Sequence, residues 1–144
     1  MVTIYTSNSS ASCKKAIDWL NEYNIPYKEI NIFTQPITKK DIKKMLENTP
    51  NGFEDIVSTR SKAIVNNHVV IDDMSFNEAC NFLINNPSAL KRPILVDDNK
   101  LQVGYNNEEI RTFIPKEQRM KTVFSSMDDA EYNLAYSNGM EELF

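Results

Sequence analysis

The chain has 144 residues, 41% of them hydrophobic, and a formal net charge of −4, which describes a soluble single domain with room for a tail. An acidic balance excludes strong autonomous binding to DNA, which needs a basic surface, and two cysteines, Cys13 and Cys80, exclude a disulfide framework or a zinc site. No apolar run is long enough to span a membrane and no signal-peptide pattern is present, so the expectation is a cytoplasmic protein with reduced thiols, no membrane contact, no metal and no cofactor.

The predicted elements begin with a short strand, Val2 to Tyr5, and the loop Thr6-Ser-Asn-Ser-Ser-Ala-Ser12 before Cys13. Ala16, Ile17, Trp19, Leu20 and Tyr23 recur at the spacing of an amphipathic helix over Ser12 to Tyr23, and Asn24 and Pro26 stop it. Tyr27 to Phe33 alternates as a second strand. A crossover of this length makes the pair parallel.

A helical middle follows. Thr38 and Asp41 form a predicted capping box, with Ile42, Met45 and Leu46 on one face. Residues 48 to 52, Asn-Thr-Pro-Asn-Gly, break the pattern, and Gly52 is one of only three glycines. Phe53 to Ile64 reads as two short helices around a turn. Ser75, with Glu78 three residues on, caps a helix whose apolar face is Phe76, Ala79, Cys80, Phe82 and Leu83; Cys80 reads as a small buried hydrophobe. His68, the single histidine, has no partner residue in the pattern and reads as a surface residue.

The chain then returns to strands. Ile94 to Asp97 and Lys100 to Val103 flank Asp98-Asn99 as a β-hairpin. Gly104 ends it, and Asn106 is expected to start a last helix with Ile110, Phe113 and Ile114 inward, ended by Pro115. The order β-α-β, helices, β-β-α predicts an α/β, thioredoxin-like fold with a mixed sheet and an inserted helical module. The domain is expected over 1–116, its core about 1–35 and 91–116 and its insert about 36–90. Residues 117–144, acidic after a basic start, are expected to be a tail that is either mobile or a docking or degradation segment.

MVTIYTS, CKKA, IPYKEINIF, DIKKML, Gly52, STRSK at 58–62, Arg92-Pro93 and LQVGYNNEEIRTFIPK at 101–116 together resemble the Spx branch of the arsenate reductase-related, thioredoxin-like family. The resemblance runs from Met1 to about Lys116 and does not reach the tail. It implies a transcriptional regulator, not an enzyme. Such a regulator binds the C-terminal domain of the RNA polymerase α subunit and meets promoter DNA only within the polymerase complex. A protease or its adaptor is a further partner for the tail.

The resemblance also assigns roles. Gly52 lies on the α-binding surface, where a side chain would clash with a docked helix. Arg60 and Lys62 supply local positive charge beside the partner and DNA. Arg92 precedes a cis-proline and couples the loop to the helical module, with Ser7 as its loop partner. The plainer alternatives are a turn glycine for Gly52, a strand-end charge for Arg92 and a packed helix residue for Cys13.

The chain departs from the family at one place. Spx-like regulators carry Cys-x-x-Cys in the loop, and a disulfide switch needs two sulfurs. Here the first position is Ser10, so Cys13 has no resolving partner. A serine hydroxyl is also a poor nucleophile without an adjacent base. Two other readings stay open. One is a divergent oxyanion reductase using Cys13 with Arg60 and Arg92. The other is a scaffold or antagonist that occupies the polymerase without activating it.

Overall fold

A computed structural model describes residues 1–115. The chain divides into two compact units, Met1–Ile110 and Arg111–Phe144, and the expected tail, 117–144, lies outside the described residues. In the first unit, β1 (Val2–Thr6), α1 (Ala11–Glu22) and β2 (Tyr27–Asn31) form the opening β-α-β. The insert holds α2 (Lys39–Leu46), α3 (Phe53–Ile56), α4 (Lys62–Asn66) and α5 (Phe76–Asn85). β3 (Ile94–Asp97) and β4 (Lys100–Val103) close the sheet.

The sheet order is β2-β1-β3-β4. β1 pairs parallel with β2, and β3 pairs antiparallel with both β1 and β4. This is the thioredoxin-like arrangement in a mixed sheet. It follows from connection length: the helical crossover reverses the chain between β1 and β2, whereas a tight turn can only join antiparallel strands.

Strand alternation divides the core. Tyr5, Ile30, Ile94 and Val96 join Ile42, Met45, Ile56, Cys80 and Leu83 of the insert in one buried cluster. Ile4 and Leu95, neighbours in register and fully buried, turn to the opposite face. On α1, Cys13, Ala16, Trp19 and Leu20 are buried, so Ala16, Trp19 and Leu20 of the stripe read from the sequence face the core, Cys13 joins them one turn earlier, and Ile17 and Tyr23 are half-buried at its margin.

Both predicted capping boxes form. The Thr38 and Ser75 side chains accept from the amides of Asp41 and Glu78, whose carboxylates accept in return from the cap amides. β2 ends at Asn31, earlier than expected, because the amides of Thr34 and Gln35 both donate to the Asn31 carbonyl and turn the chain. The expected last helix is a 3-10 turn, Glu109–Phe113. Asn106 Oδ1 accepts from the amides of Glu108 and Glu109, which closes a tight turn where an α-helix was expected to begin. Among the described residues no helix is long and apolar enough to cross a membrane.

Candidate functional site

β1, an interior strand, delivers the loop 7–10 at its C-terminal end, and α1 carries the chain away. Ser10 holds an extended backbone, φ −88° and ψ 117°, and its Oγ accepts from the Cys13 amide at 3.2 Å. It is thus the N-cap of α1 and satisfies one of the donors that a helix start leaves unpaired. Cys13 is 2% exposed and its thiol is free. The loop is tied to the end of β2, where Asn31 Nδ2 donates to Asn8 Oδ1 and Asn31 Oδ1 accepts from the Phe33 backbone amide.

Arg92 arrives from the insert side. Val57 and Leu90 form an isolated bridge. The Ser58 amide donates to the Ala89 carbonyl at 2.7 Å and the Lys91 amide to Ile56 at 2.8 Å. These bonds fix the segment just before Arg92, whose peptide bond to Pro93 is cis. The guanidinium lies 5.3 Å over the Phe33 ring, a cation–π contact. Its Nη1 is buried with no hydrogen-bond partner, an expensive state for a charged donor.

Ser7, Ser10, Asp55, Ser58, Lys91 and Arg92 face one open pocket of about 930 Å³ between the loop and the insert. Ser7 and Arg92 therefore share a site, but no hydrogen bond joins them; Phe33 is the neighbour that Arg92 contacts. Two cationic side chains and the start of a helix make this wall suitable for a small anion or a polar backbone segment.

Gly52 lies on the insert, at the start of α3. Its φ of +67° is in the region that only glycine enters without strain, and an added Cβ would find no atom within 4 Å. The residue makes the turn and leaves the surface open. Arg60 and Lys62 are exposed on either side of Ser61, the N-cap residue of α4. They are not among the residues lining the Arg92 pocket. The sequence-predicted residues thus fall into two groups, Ser7, Ser10 and Arg92 around the pocket, and Gly52, Arg60 and Lys62 on the insert. His68 is exposed, with φ of 51°, just beyond α4.

A side-chain hydrogen bond also joins β1 to α2. Tyr5, 3% exposed, donates its hydroxyl to Asp41 Oδ1 at 2.8 Å, and Asp41 Oδ2 accepts from the Thr38 amide and hydroxyl. Burial first, then the hydrogen bond to the Asp41 carboxylate and its charge, push the Tyr5 hydroxyl well above its ordinary pKa. Cys80 is fully buried on the inner face of α5, and burial raises its thiol pKa too, against the opposing charges of Lys39 and Lys43.

Sequence reasoning missed three of these features. Phe33 gave no signal: the sequence read it as the last residue of the second strand, and its place beyond that strand, 53% exposed, shows only in the fold. Lys91 directly precedes Arg92 in the chain. Tyr5 gave no local sign, since its partner lies 36 residues away.

A family model described as the ArsC family matches residues 5–113. The global transcriptional regulator Spx of Listeria monocytogenes serovar 1/2a is 46% identical over 119 residues, spanning 83% of this chain and 91% of that protein. Spx of Streptococcus mutans serotype c is 40% identical over 131 residues, spanning 91% and 96%. Among solved structures, one described as a possible arsenate reductase from Streptococcus mutans UA159 superposes with a TM-score of 0.65 at 26% identity, covering 74% of this chain and 92% of that one. The solution structure of SACOL0876 from Staphylococcus aureus gives 0.65 at 23% identity, with 78% and 97% covered.

Proposed function

The chain belongs to the ArsC family, and within it we propose that it is a transcription regulator of the Spx type, docking on the C-terminal domain of the RNA polymerase α subunit. The observation that carries the reading is the 46% identity to Spx proteins over 91% of their length, which includes the insert as well as the sheet. The open surface at Gly52 supports it, because a backbone without a Cβ lets a partner helix approach closely. Arg60 and Lys62, exposed on an otherwise acidic chain, provide positive charge for the same assembly, and promoter DNA enters only with polymerase.

The loop carries no dithiol. Ser10 occupies the first position of the motif as a helix cap, and Cys13 is buried behind it. Regulation therefore runs through abundance, proteolysis or partners rather than through an intramolecular disulfide. Calorimetry of the full chain with the isolated α C-terminal domain tests the reading. Micromolar or tighter binding, lost in Gly52→Arg, supports it; no heat of binding from the unsubstituted chain removes it.

A second reading rests on the Arg92 pocket and the similarity to the Streptococcus mutans structure described as a possible arsenate reductase. It needs a reactive thiol at the pocket, whereas the pocket wall holds Ser10 and the thiol of Cys13 is buried. Glutathione- or thioredoxin-coupled arsenate turnover abolished by Cys13→Ala would establish it. A non-activating antagonist would bind the α domain yet fail to stimulate promoter-specific transcription in vitro.

A further inference from the structure

Asn51 is exposed and immediately precedes Gly52. We propose that Asn51 is a site of spontaneous deamidation, closed to a cyclic imide by the Gly52 nitrogen and restrained by Asp55. The reaction needs a neighbouring peptide nitrogen free to attack, an unshielded approach and water. The Gly52 amide donates to no described residue. Glycine has no Cβ to shield its nitrogen, and the space where one would stand is empty to 4 Å.

The step balances without oxidant or reductant. The Gly52 nitrogen loses its proton and bonds to Asn51 Cγ; the Cγ–Nδ2 bond breaks and ammonia leaves with that proton. Water then opens the imide at either carbonyl, giving aspartate or isoaspartate. The rate rises with pH because the attacking species is the deprotonated amide.

Asp55 opposes the closure. Its Oδ2 accepts from the Asn51 amide at 2.9 Å and its Oδ1 from Asn51 Nδ2 at 3.3 Å. The pair holds the side chain in one orientation, and ring closure must break the Nδ2 bond. Once the amide is gone, position 51 has a carboxylate facing the Asp55 carboxylate. A donor–acceptor pair becomes a like-charge pair, and isoaspartate also lengthens the backbone by one carbon just before the positive-φ glycine. The change is one-way and lies beside the surface proposed for the polymerase. Its consequence for docking rests on that reading, whereas the modification does not.

The test incubates the full chain at mildly alkaline pH and maps peptides by mass spectrometry, resolving isoaspartate from aspartate. The same chain unfolded in urea serves as a reference, and the second Asn-Gly pair, Asn138-Gly139, as an internal one. The expected result is conversion of Asn51 in the folded chain to a mixture of both products. Asp55→Ala, checked for folding by circular dichroism, should convert about five-fold faster, the factor for one net hydrogen bond; Asp55→Asn, which keeps one acceptor oxygen, should fall between. An Asn51 that stays intact when folded while it converts in urea overturns the proposal. So does a rate unchanged in both Asp55 variants, or aspartate as the single product. Binding of Asn51→Asp to the α domain is measured beside the unsubstituted chain. If neither binds, the docking reading fails and the conversion data stand by themselves.

Discussion

The helix starts at Ser10 and Gly52 are built in opposite ways. α1 is a 12-residue helix closed by a side-chain cap, with its cysteine tucked beneath. α3 is a single turn of four residues, opened by a positive-φ glycine with no side-chain cap. The first arrangement satisfies itself: hydroxyl, amide and thiol are all occupied or buried, and little is left to react. The second leaves backbone and space exposed. The loop before α1 thus acts as structure, whereas the turn before α3 presents open backbone.

Cutting the insert away from the sheet is the largest way to break this comparison. Ile42 is fully buried in the cluster that joins them, so Ile42→Ala should cost about 2–5 kcal/mol in urea unfolding. Loss of insert signals before sheet signals would show that the two parts do not unfold together. Gly52→Arg comes next. It should weaken binding to the α domain by at least ~2 kcal/mol, the scale of an interface hot spot. The φ of +67° and ψ of −135° should by themselves cost the free chain roughly 1–3 kcal/mol.

The capped start gives smaller effects. Ser10→Ala should lower stability by about 1 kcal/mol through the lost cap, a melting shift of roughly 2–4 °C, with α binding unchanged. Ser10→Cys sharpens the contrast, because it supplies a second sulfur. Its affinity should respond to diamide while that of the unsubstituted chain does not; an equal response from both would mean that Cys13 is oxidised without a partner.

Tyr5 tests the link between the regions. Its folded pKa is raised above the ordinary 10.0, so the unfolded chain releases this proton first as pH rises. The stability it contributes is complete below pH 10 and is lost above it, toward the folded value. Tyr5→Phe should therefore flatten the alkaline fall in stability, while costing about 1 kcal/mol at neutral pH for the missing bond to Asp41. Phe33→Leu should have the smallest effect, about 0.5–1 kcal/mol, as Arg92 loses its aromatic shelf.

The residues differ in how much they disclosed on their own. Thr38 with Asp41 and Ser75 with Glu78 announced two helix starts, because a capping box is complete within four residues. The stripe on α1 and the alternation around Asp98-Asn99 gave the crossover and the hairpin, and with them the order of the fold. Asn106 misled for a related reason: an asparagine side chain can open a helix or close a tight turn, and its own hydrogen bonds to Glu108 and Glu109 decide which. The resemblance set Ser7 beside Arg92 and Gly52 with Arg60 and Lys62; the fold places the first pair around one pocket, but it gives Arg92 the Phe33 ring as its contact.

The sequence by itself determined the α/β class, the order of strands and helices through β4, the two capping boxes and the family, since each depends on neighbours within a turn or on a pattern along the chain. Tertiary structure decided that Arg92 lies over Phe33 rather than bonding Ser7, that Tyr5 donates to Asp41, that Cys13 is buried, and that Gly52 opens onto empty space. Those outcomes depend on which distant segments the sheet brings together and how closely they pack. No local pattern carries that information, because side-chain contact across a fold is set by the geometry of the whole core.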